Sequence, residues 1–371
     1  MSYTSAQGDV VAPDRDAPYG GAEPAPPAAL RIGIIGVGGI SQAHRNGYVL
    51  AGADVVALAD PQPASLQARA RAWGVERSYS DYRAMFEDGD VDAVSICAPT
   101  AVHAPATMAA AAAGVHVLCE KPLALDLDQG RTMIEACRRA GVVLMVNHQL
   151  RSHGAAALAK RMLERGELGE VTHVRLRQAH DWAGAPEVRP SFSTRASSGG
   201  GTLLDNGCHL MDLARYFGKD VEEVYARTAT RKFAVELEDT AHVSLRFMTG
   251  ALGTVEVAWT ATGWEEGFWI YGTQGALEYT NRSGTPVLRH AHRASPGTTW
   301  GETDVSEHRF AGDAPHARHV RAFLAAIAGE RPVLCSGEDG LDAVRLVLAA
   351  YESAERNAPV RVSEAPTTLP G

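Results

Sequence analysis

No run in this chain approaches the roughly 20 consecutive apolar residues of a membrane span. The most apolar stretch, 104–117, is alanine-rich and interrupted by Pro105 and Gly114, and reads as a soluble helix; no membrane partner is expected. An excess of positive charge is lacking too. Against 44 Asp and Glu there are 35 Lys and Arg, a net charge of -9, and no basic block stands out. Phosphate-backbone binding has nothing to rest on, so no nucleic-acid partner is expected. The five cysteines, Cys97, Cys119, Cys137, Cys208 and Cys335, are odd in number and widely spaced, with no Cys-x-x-Cys pair, which argues against a disulfide framework. Reduced, buried thiols in a cytoplasmic protein are the simplest reading. Also missing are His-Glu-x-x-His spacing and a Ser/His/Asp nucleophile motif, so no metal is expected. Residues 1–29 lack both a basic start with an apolar stretch and paired arginines, so no export signal is supported. Their Pro, Ala, Gly and Asp content reads as a disordered tail, with an arm across a neighbouring subunit as the alternative.

What is present is an ordinary globular balance, 45% hydrophobic and 21% charged, over 371 residues, enough for two domains. From Leu30 short apolar strands alternate with helical segments: strands near 31–35, 54–59, 77–79, 93–97, 116–119 and 142–146, helices near 41–51, 63–73, 81–87, 104–113 and 128–140. That alternation predicts an α/β, doubly wound parallel sheet of about six strands, over 30–147. Beyond Asn147 the pattern changes. A helix at 155–165 precedes strands at 171–178, 222–229, 239–247, 251–260, 267–272 and 276–279, separated by turn pairs such as Thr249-Gly250 and Thr262-Gly263. The segment 148–371 is therefore expected to be an α+β domain with a large, mostly antiparallel sheet. Two late helices, near 317–328 and 340–357, carry one apolar face and are expected to pack back on the first domain.

The motif Gly36-Val37-Gly38-Gly39-Ile40-Ser41 follows a strand and opens a helix, the setting in which a glycine turn cradles a dinucleotide. Gly36 permits the tight turn, Gly38 admits the pyrophosphate, and the helix amino terminus favours its charge. Ser41 stands where a third glycine is usual, and is small enough for close helix–strand packing. Asp60, 24 residues after Gly36, ends the second strand, where a carboxylate accepts bonds from the adenosine ribose. It favours NAD and repels a 2′-phosphate, while Gln62 and Arg69 leave NADP open. Pro99, Thr100 and His103 lie at the carboxyl end of another strand and are candidates to line the nicotinamide end.

Glu120-Lys121-Pro122 sits on that same edge of the sheet. A lysine there can donate to a substrate oxygen beside the nicotinamide, and the proline fixes the backbone, a cis peptide being one way to do so. Downstream, Gly199-Gly200-Gly201 leads into Asp205 and His209, spaced i, i+4 on one helix face, with Asp212 a further turn on. A histidine oriented by a carboxylate is suited to removing a hydroxyl proton as hydride leaves carbon. The glycines are expected to remove bulk near the ligand, and Asp212 to be a helix-face acid. Asn147, His148, Gln149 and Arg151 should enter the cleft, with Asn147, Gln149 and Arg151 as substrate contacts and hinge packing as the alternative. Trp182 is a candidate platform for a sugar ring, or a core residue.

In these motifs, and in Gly337-Glu338-Asp339-Gly340 leading to Tyr351 and Pro359-Val360, the chain resembles the Gfo/Idh/MocA oxidoreductases from about Arg31 to Val362. The glycine turn is shared by many folds, whereas Glu-Lys-Pro with Asp-x-x-x-His is specific. The resemblance implies a Rossmann domain with an open sheet that often mediates homodimers or homotetramers, and Lys121, Asp205 and His209 as the polar triad around the reacting carbon. It implies a sugar or cyclic polyol as substrate and an NAD(P)-dependent dehydrogenase. Two other readings stay open: transient sugar oxidation by a tightly held, recycled NAD, as in glycosidase- or epimerase-like relatives, and a non-catalytic dinucleotide sensor.

Overall fold

The computed structural model describes residues 30–181, 194–233, 235–282, 286–293, 303–310, 312 and 314–369. They fall into two compact units: the chain through Ser152 with Ala314–Val344, and the chain from His153 to 312 with the residues from Arg345 onward. The tail 1–29 expected to be disordered, and Trp182, lie outside the described residues.

In the first unit, β1 (Arg31–Ile35), β2 (Asp54–Ala59), β3 (Arg77–Tyr79), β4 (Ala93–Ile96), β5 (His116–Cys119) and β6 (Leu144–Val146) form an all-parallel sheet in the order β3-β2-β1-β4-β5-β6. This is the doubly wound arrangement expected, with order reversing between β1 and β4, the crevice where such sheets take ligands. The helices between strands are α1 (Ser41–Leu50), α2 (Pro63–Trp73), α3 (Tyr82–Glu87), α4 (Thr100–Ala112) and α5 (Leu127–Ala140). Helix α4 begins four residues earlier than expected and carries Pro105 as its sixth residue, just past the first turn whose N–H groups have no intrahelical partner. Burial explains the nearly unbroken apolar strands: Ile32, Ile34, Val94, Ile96, Val117 and Leu118 have no exposed surface.

A single 3-10 turn, Gln149–Ser152, ends this stretch, and α6 (Gly154–Glu164) opens the second unit. There β7 (Val171–Ala179) is followed by a one-turn helix α7 (Arg195–Ser198), the long α8 (Thr202–Gly218), β8 (Val221–Ala229), β9 (Thr240–Phe247), β10 (Leu252–Ala258), β11 (Glu265–Gly272), β12 (Gly275–Asn281), β13 (Val287–Arg293) and β14 (Thr303–Arg309). With β15 (Val360–Arg361) they make a nine-stranded sheet, β14-β13-β12-β11-β7-β10-β9-β8-β15, antiparallel except between β7 and β10. Strands β13, β14 and β15 were not expected. Strand β14, Thr-Asp-Val-Ser-Glu-His-Arg, lies at the sheet edge with no buried residue, so it has no apolar face to betray it. Helix α8 packs on β7, β9 and β10, burying Leu203, Leu204, Leu210, Met211 and Phe217.

The late helices divide. Helix α9 (Pro315–Ile327) packs on α1, with Val320 so close to Gly47 that a Cβ there would lie 2.8 Å from its methyl. Helix α10 (Gly337–Arg356) packs within the first unit only over its first turns, where Gly340 meets Val146 of β6 and Leu341 covers Gly130 of α5; from Arg345 it belongs to the second unit.

Candidate functional site

The glycine turn is shaped for close approach. Gly36 has φ +87°, and a Cβ on it would lie 2.7 Å from the backbone of Cys97 and Ala98, so only glycine fits beneath β4. At Gly38 and Gly39, by contrast, an added Cβ would meet nothing within 4 Å, and both are exposed with Ile40. Ser41 Oγ donates back to the Gly38 carbonyl, 2.5 Å. Helix α1 has no capping side chain at Ile40 and no acid in its first turn. A turn with open space over its second glycine and an uncapped helix amino terminus fits a pyrophosphate.

Asp60 follows β2 and accepts N–H bonds from Val37, 3.0 Å, and Gln62, 2.8 Å, so it stands against the turn itself. Arg69 donates to the Val37 carbonyl and to Gln42 Oε1. His103, buried on α4, has its two ring nitrogens 2.9 Å from the carbonyls of Ala98 and Pro122, and burial lowers its pKa below the usual imidazole value, so that the neutral ring donates to one of the two. It thus joins the loops after β4 and β5. Pro99 is exposed at the N-cap of α4 and Thr100 is its first residue. A separate cleft of about 610 Å³ opens beside Arg31, Asp54 and Arg77, at the strand starts, the edge opposite to the glycine turn.

The Lys121–Pro122 peptide is cis. Before it, Glu120 is buried and gathers three donors: His44 Nε2 at 2.8 Å and Asn147 Nδ2 at 2.5 Å on Oε1, and the Lys121 backbone N–H at 3.1 Å on Oε2. Burial alone would push this carboxyl up, but the His44 bond, the His44 and Lys121 charges and the Asn147 bond outweigh it and hold the pKa at about 2. The network continues from His44 Nδ1 to Ser95 Oγ, 3.0 Å, and on to Tyr48, 2.8 Å. Glu120 therefore points inward, and Lys121, half-buried, is held by its backbone. His44, Ser95 and Tyr48 were missed. Ser41, His44 and Tyr48 share the buried face of α1, and a polar residue on such a face was the available signal.

Asn147 belongs to this network, while Gln149 is half-buried in the 3-10 turn. Arg151 is buried and donates to the Leu334 carbonyl, 2.9 Å, and Asp339, 3.2 Å, both within the first unit. His148 is buried.

In the second unit Asp205, half-buried, and His209, buried, lie one turn apart on α8, with Asp212 fully buried one turn further. The glycines before them have a different reason from the one expected. A Cβ on Gly201 would overlap the Glu238 carbonyl oxygen and crowd its carboxyl, and one on Gly200 would sit 2.5 Å from the Tyr351 hydroxyl. Gly200 and Gly201 make room for protein groups. Glu238 Oε1 caps α8 by accepting from the Leu203 N–H, 3.0 Å, and the Tyr351 hydroxyl, 2.8 Å, while its carbonyl takes the Thr202 N–H. Burial raises the Glu238 pKa above its usual value, the Tyr351 bond opposing. Asn206, beside Asp205, donates to His180 Nε2, 2.8 Å, at the end of β7.

With this geometry in place, the comparisons are specific. A family model described as an oxidoreductase family with an NAD-binding Rossmann fold matches residues 30–148, and one described as the GFO/IDH/MocA C-terminal domain matches 156–278. Myo-inositol 2-dehydrogenase of Thermotoga maritima is 32% identical over 90% of this chain and 99% of its own length. The chain belongs to the Gfo/Idh/MocA oxidoreductases. D-apiose dehydrogenase of Paraburkholderia graminis is 30% identical over 91% of each chain. A levoglucosan dehydrogenase solved with NADH and levoglucosan matches with a TM-score of 0.81 at 28% identity, covering 90% of this chain and 99% of that one. The Gfo/Idh/MocA assignment makes the first unit a nicotinamide-dinucleotide domain and the chain an NAD(P)-dependent oxidoreductase.

Proposed function

We propose that the protein is a dehydrogenase that oxidises a secondary alcohol of a cyclic sugar, sugar derivative or inositol-like polyol. The observation that carries the reading is the pairing of two constellations in one chain: Lys121, locked by a buried ionised Glu120 behind the glycine turn, and Asp205 with His209 on one face of α8. Relatives of 30–32% identity named as inositol and apiose dehydrogenases support the substrate class.

Bound NAD⁺ supplies the hydride acceptor. In this assignment Gly36, Gly38, Gly39 and Ile40 receive the pyrophosphate, Asp60 the ribose, and Pro99, Thr100, His103, Glu120 and Lys121 frame the nicotinamide end. His209 takes the hydroxyl proton, Asp205 orients its ring, and the Lys121 ammonium stabilises the oxygen as it gains negative charge. The alcohol loses hydride and proton and leaves as a ketone or lactone. Asn147 and Gln149 are assigned to substrate hydroxyls. The reaction occurs in the cytoplasm.

The test is turnover of NAD⁺, and separately NADP⁺, with a panel of inositols, aldoses and anhydrosugars, followed by Lys121→Ala, Asp205→Asn and His209→Asn. NADH formation with one stereochemical subset, falling at least a hundredfold in each variant, is the expected outcome. Near-wild-type turnover in any one of them removes that residue from the mechanism. Tightly retained NAD with no net NADH would instead support recycled cofactor.

A further inference from the structure

Trp264 is a large aromatic with 46% of its surface exposed, next to the helix that carries Asp205 and His209. The antiparallel register sets Glu265 opposite Ala179, so Trp264 and His180 face each other just beyond the ends of β11 and β7. Their rings stack, centroids 4.6 Å apart and planes 9° from parallel. His180 is itself buried and takes the Asn206 amide bond, and Asn206 adjoins Asp205 on α8. The indole is thus backed on one side by an imidazole anchored to the helix of the proposed proton acceptor.

Strand alternation fixes the side of the sheet. Glu266 and Gln178 bond to each other and are buried on the side that α8 covers, whereas Glu265 pairs with Arg177 and Arg282 on the other. Trp264, two residues before Glu266, shares the α8 side. Other exposed large residues of this sheet, Leu252, Tyr271 and Val305, share the face of Glu256, Glu265 and Glu307, opposite to the α8 side. A rigid aromatic plane left open beside polar groups is the arrangement that receives the C–H face of a saturated ring while its hydroxyls reach hydrogen-bond partners.

We propose that Trp264, backed by His180, is the ring platform of the substrate site, and that it selects pyranoses or cyclitols presenting a continuous C–H face over open-chain polyols. This rests on the reading of Asp205 and His209 given above.

The test compares wild type with Trp264→Ala, Trp264→Leu and Trp264→Phe in two measurements: calorimetric binding of myo-inositol, levoglucosan and methyl β-D-glucoside to the NADH-loaded protein, and steady-state kinetics with NAD⁺. The expected result is at least a fivefold weaker Kd for the best-bound ring in the Ala and Leu variants, with KM rising more than kcat falls. The Phe variant should recover much of the loss, and preference over sorbitol should narrow. Unchanged affinity in Trp264→Ala, an equal loss in Leu and Phe, or no binding of any of the three rings to wild type overturns the platform. Ring binding that depends on Trp264 without NADH formation leaves the platform standing and removes the dehydrogenase reading. A variant that changes assembly state while keeping its affinity makes Trp264 a subunit contact and overturns the proposal.

Discussion

At Glu120 three N–H donors converge on one buried carboxylate, and this single side chain connects the core of the first unit to the backbone of Lys121. Its folded pKa of about 2 lies below the ordinary 4.5, so the unfolded chain binds more protons between those values. The resulting stabilisation, on the order of 3 kcal/mol, is fully present above pH 4.5 and is lost as the pH falls through about 2. His319 acts in the same direction: burial, with the charges of neighbouring histidines, lowers its pKa to about 3. It stays neutral while Nε2 donates to the Val146 carbonyl and Nδ1 accepts from Ser152, and protonation below pH 6.5 favours the unfolded chain. Glu120→Gln keeps the volume but offers one oxygen to three donors and turns an N–H₂ toward them. It should destabilise by about 2–4 kcal/mol at pH 7, with the difference from wild type shrinking toward pH 3. Urea denaturation across pH measures this; a pH-independent difference would mean that Glu120 acts by packing alone. The candidacy of Lys121 was legible from the Glu-Lys-Pro tripeptide. The role of Glu120 was not, because its partners His44 and Asn147 stand 76 and 27 residues away and no local pattern joins them.

At the scale of elements, the glycines separate into those the chain needs and those a ligand needs. Gly36 and Gly201 have backbone or carboxyl groups where a Cβ would go, whereas Gly38 has only open space. Gly38→Val should therefore leave the melting temperature within about 2 °C of wild type, as for an exposed position away from any packing. It should nonetheless weaken NAD⁺ binding at least tenfold by filling the pyrophosphate approach. Calorimetric titration with NAD⁺ beside thermal denaturation decides it; equal binding would put the pyrophosphate elsewhere. For α8 the opposite holds. Tyr351→Phe removes a donor from buried Glu238 and should cost about 1–3 kcal/mol, read by denaturation, with turnover lowered because the cap fixes the turn that bears Asp205. Loss of stability without loss of turnover would confine the cap to folding. The α1 turn was readable because strand, glycines and helix are contiguous. The packing role of Gly200 and Gly201 was not legible because their neighbours, Tyr351 and Glu238, come from α10 and from just before β9. Strands β13 and β14 escaped for a related reason: pairing defines them, and β14, at the edge, has no buried face.

At the scale of the whole molecule, the chain leaves the first unit at Ser152, returns to it for 314–344, and leaves again within α10. Alternating strands and helices revealed the parallel sheet, but a return after some 160 residues carries no local signature beyond the apolar face of α9. The second unit's sheet has one side under α8 and another that alternates charge with exposed apolar groups. On that side Arg175 and Arg177 pair with Glu256, Arg177 and Arg282 with Glu265, and Arg289 and Arg309 with Glu307. Between these rows stand Leu252, Tyr271 and Val305, each more than 40% exposed, with Arg175 lying over Trp269. A broad face whose charges are satisfied within each strand ladder, leaving apolar side chains uncovered, loses little polar solvation when it meets a second copy of itself. If the chain forms the homodimer or homotetramer that the family resemblance implies, this face is predicted to be its contact. Leu252→Glu combined with Tyr271→Glu would place unpaired carboxylates in that contact, at little cost to a lone subunit in which both positions face water. Light scattering coupled to size exclusion should then show a smaller species than wild type, with unchanged circular dichroism. A wild-type protein that already runs as a monomer, or a double variant that keeps its mass, would move the contact away from this sheet.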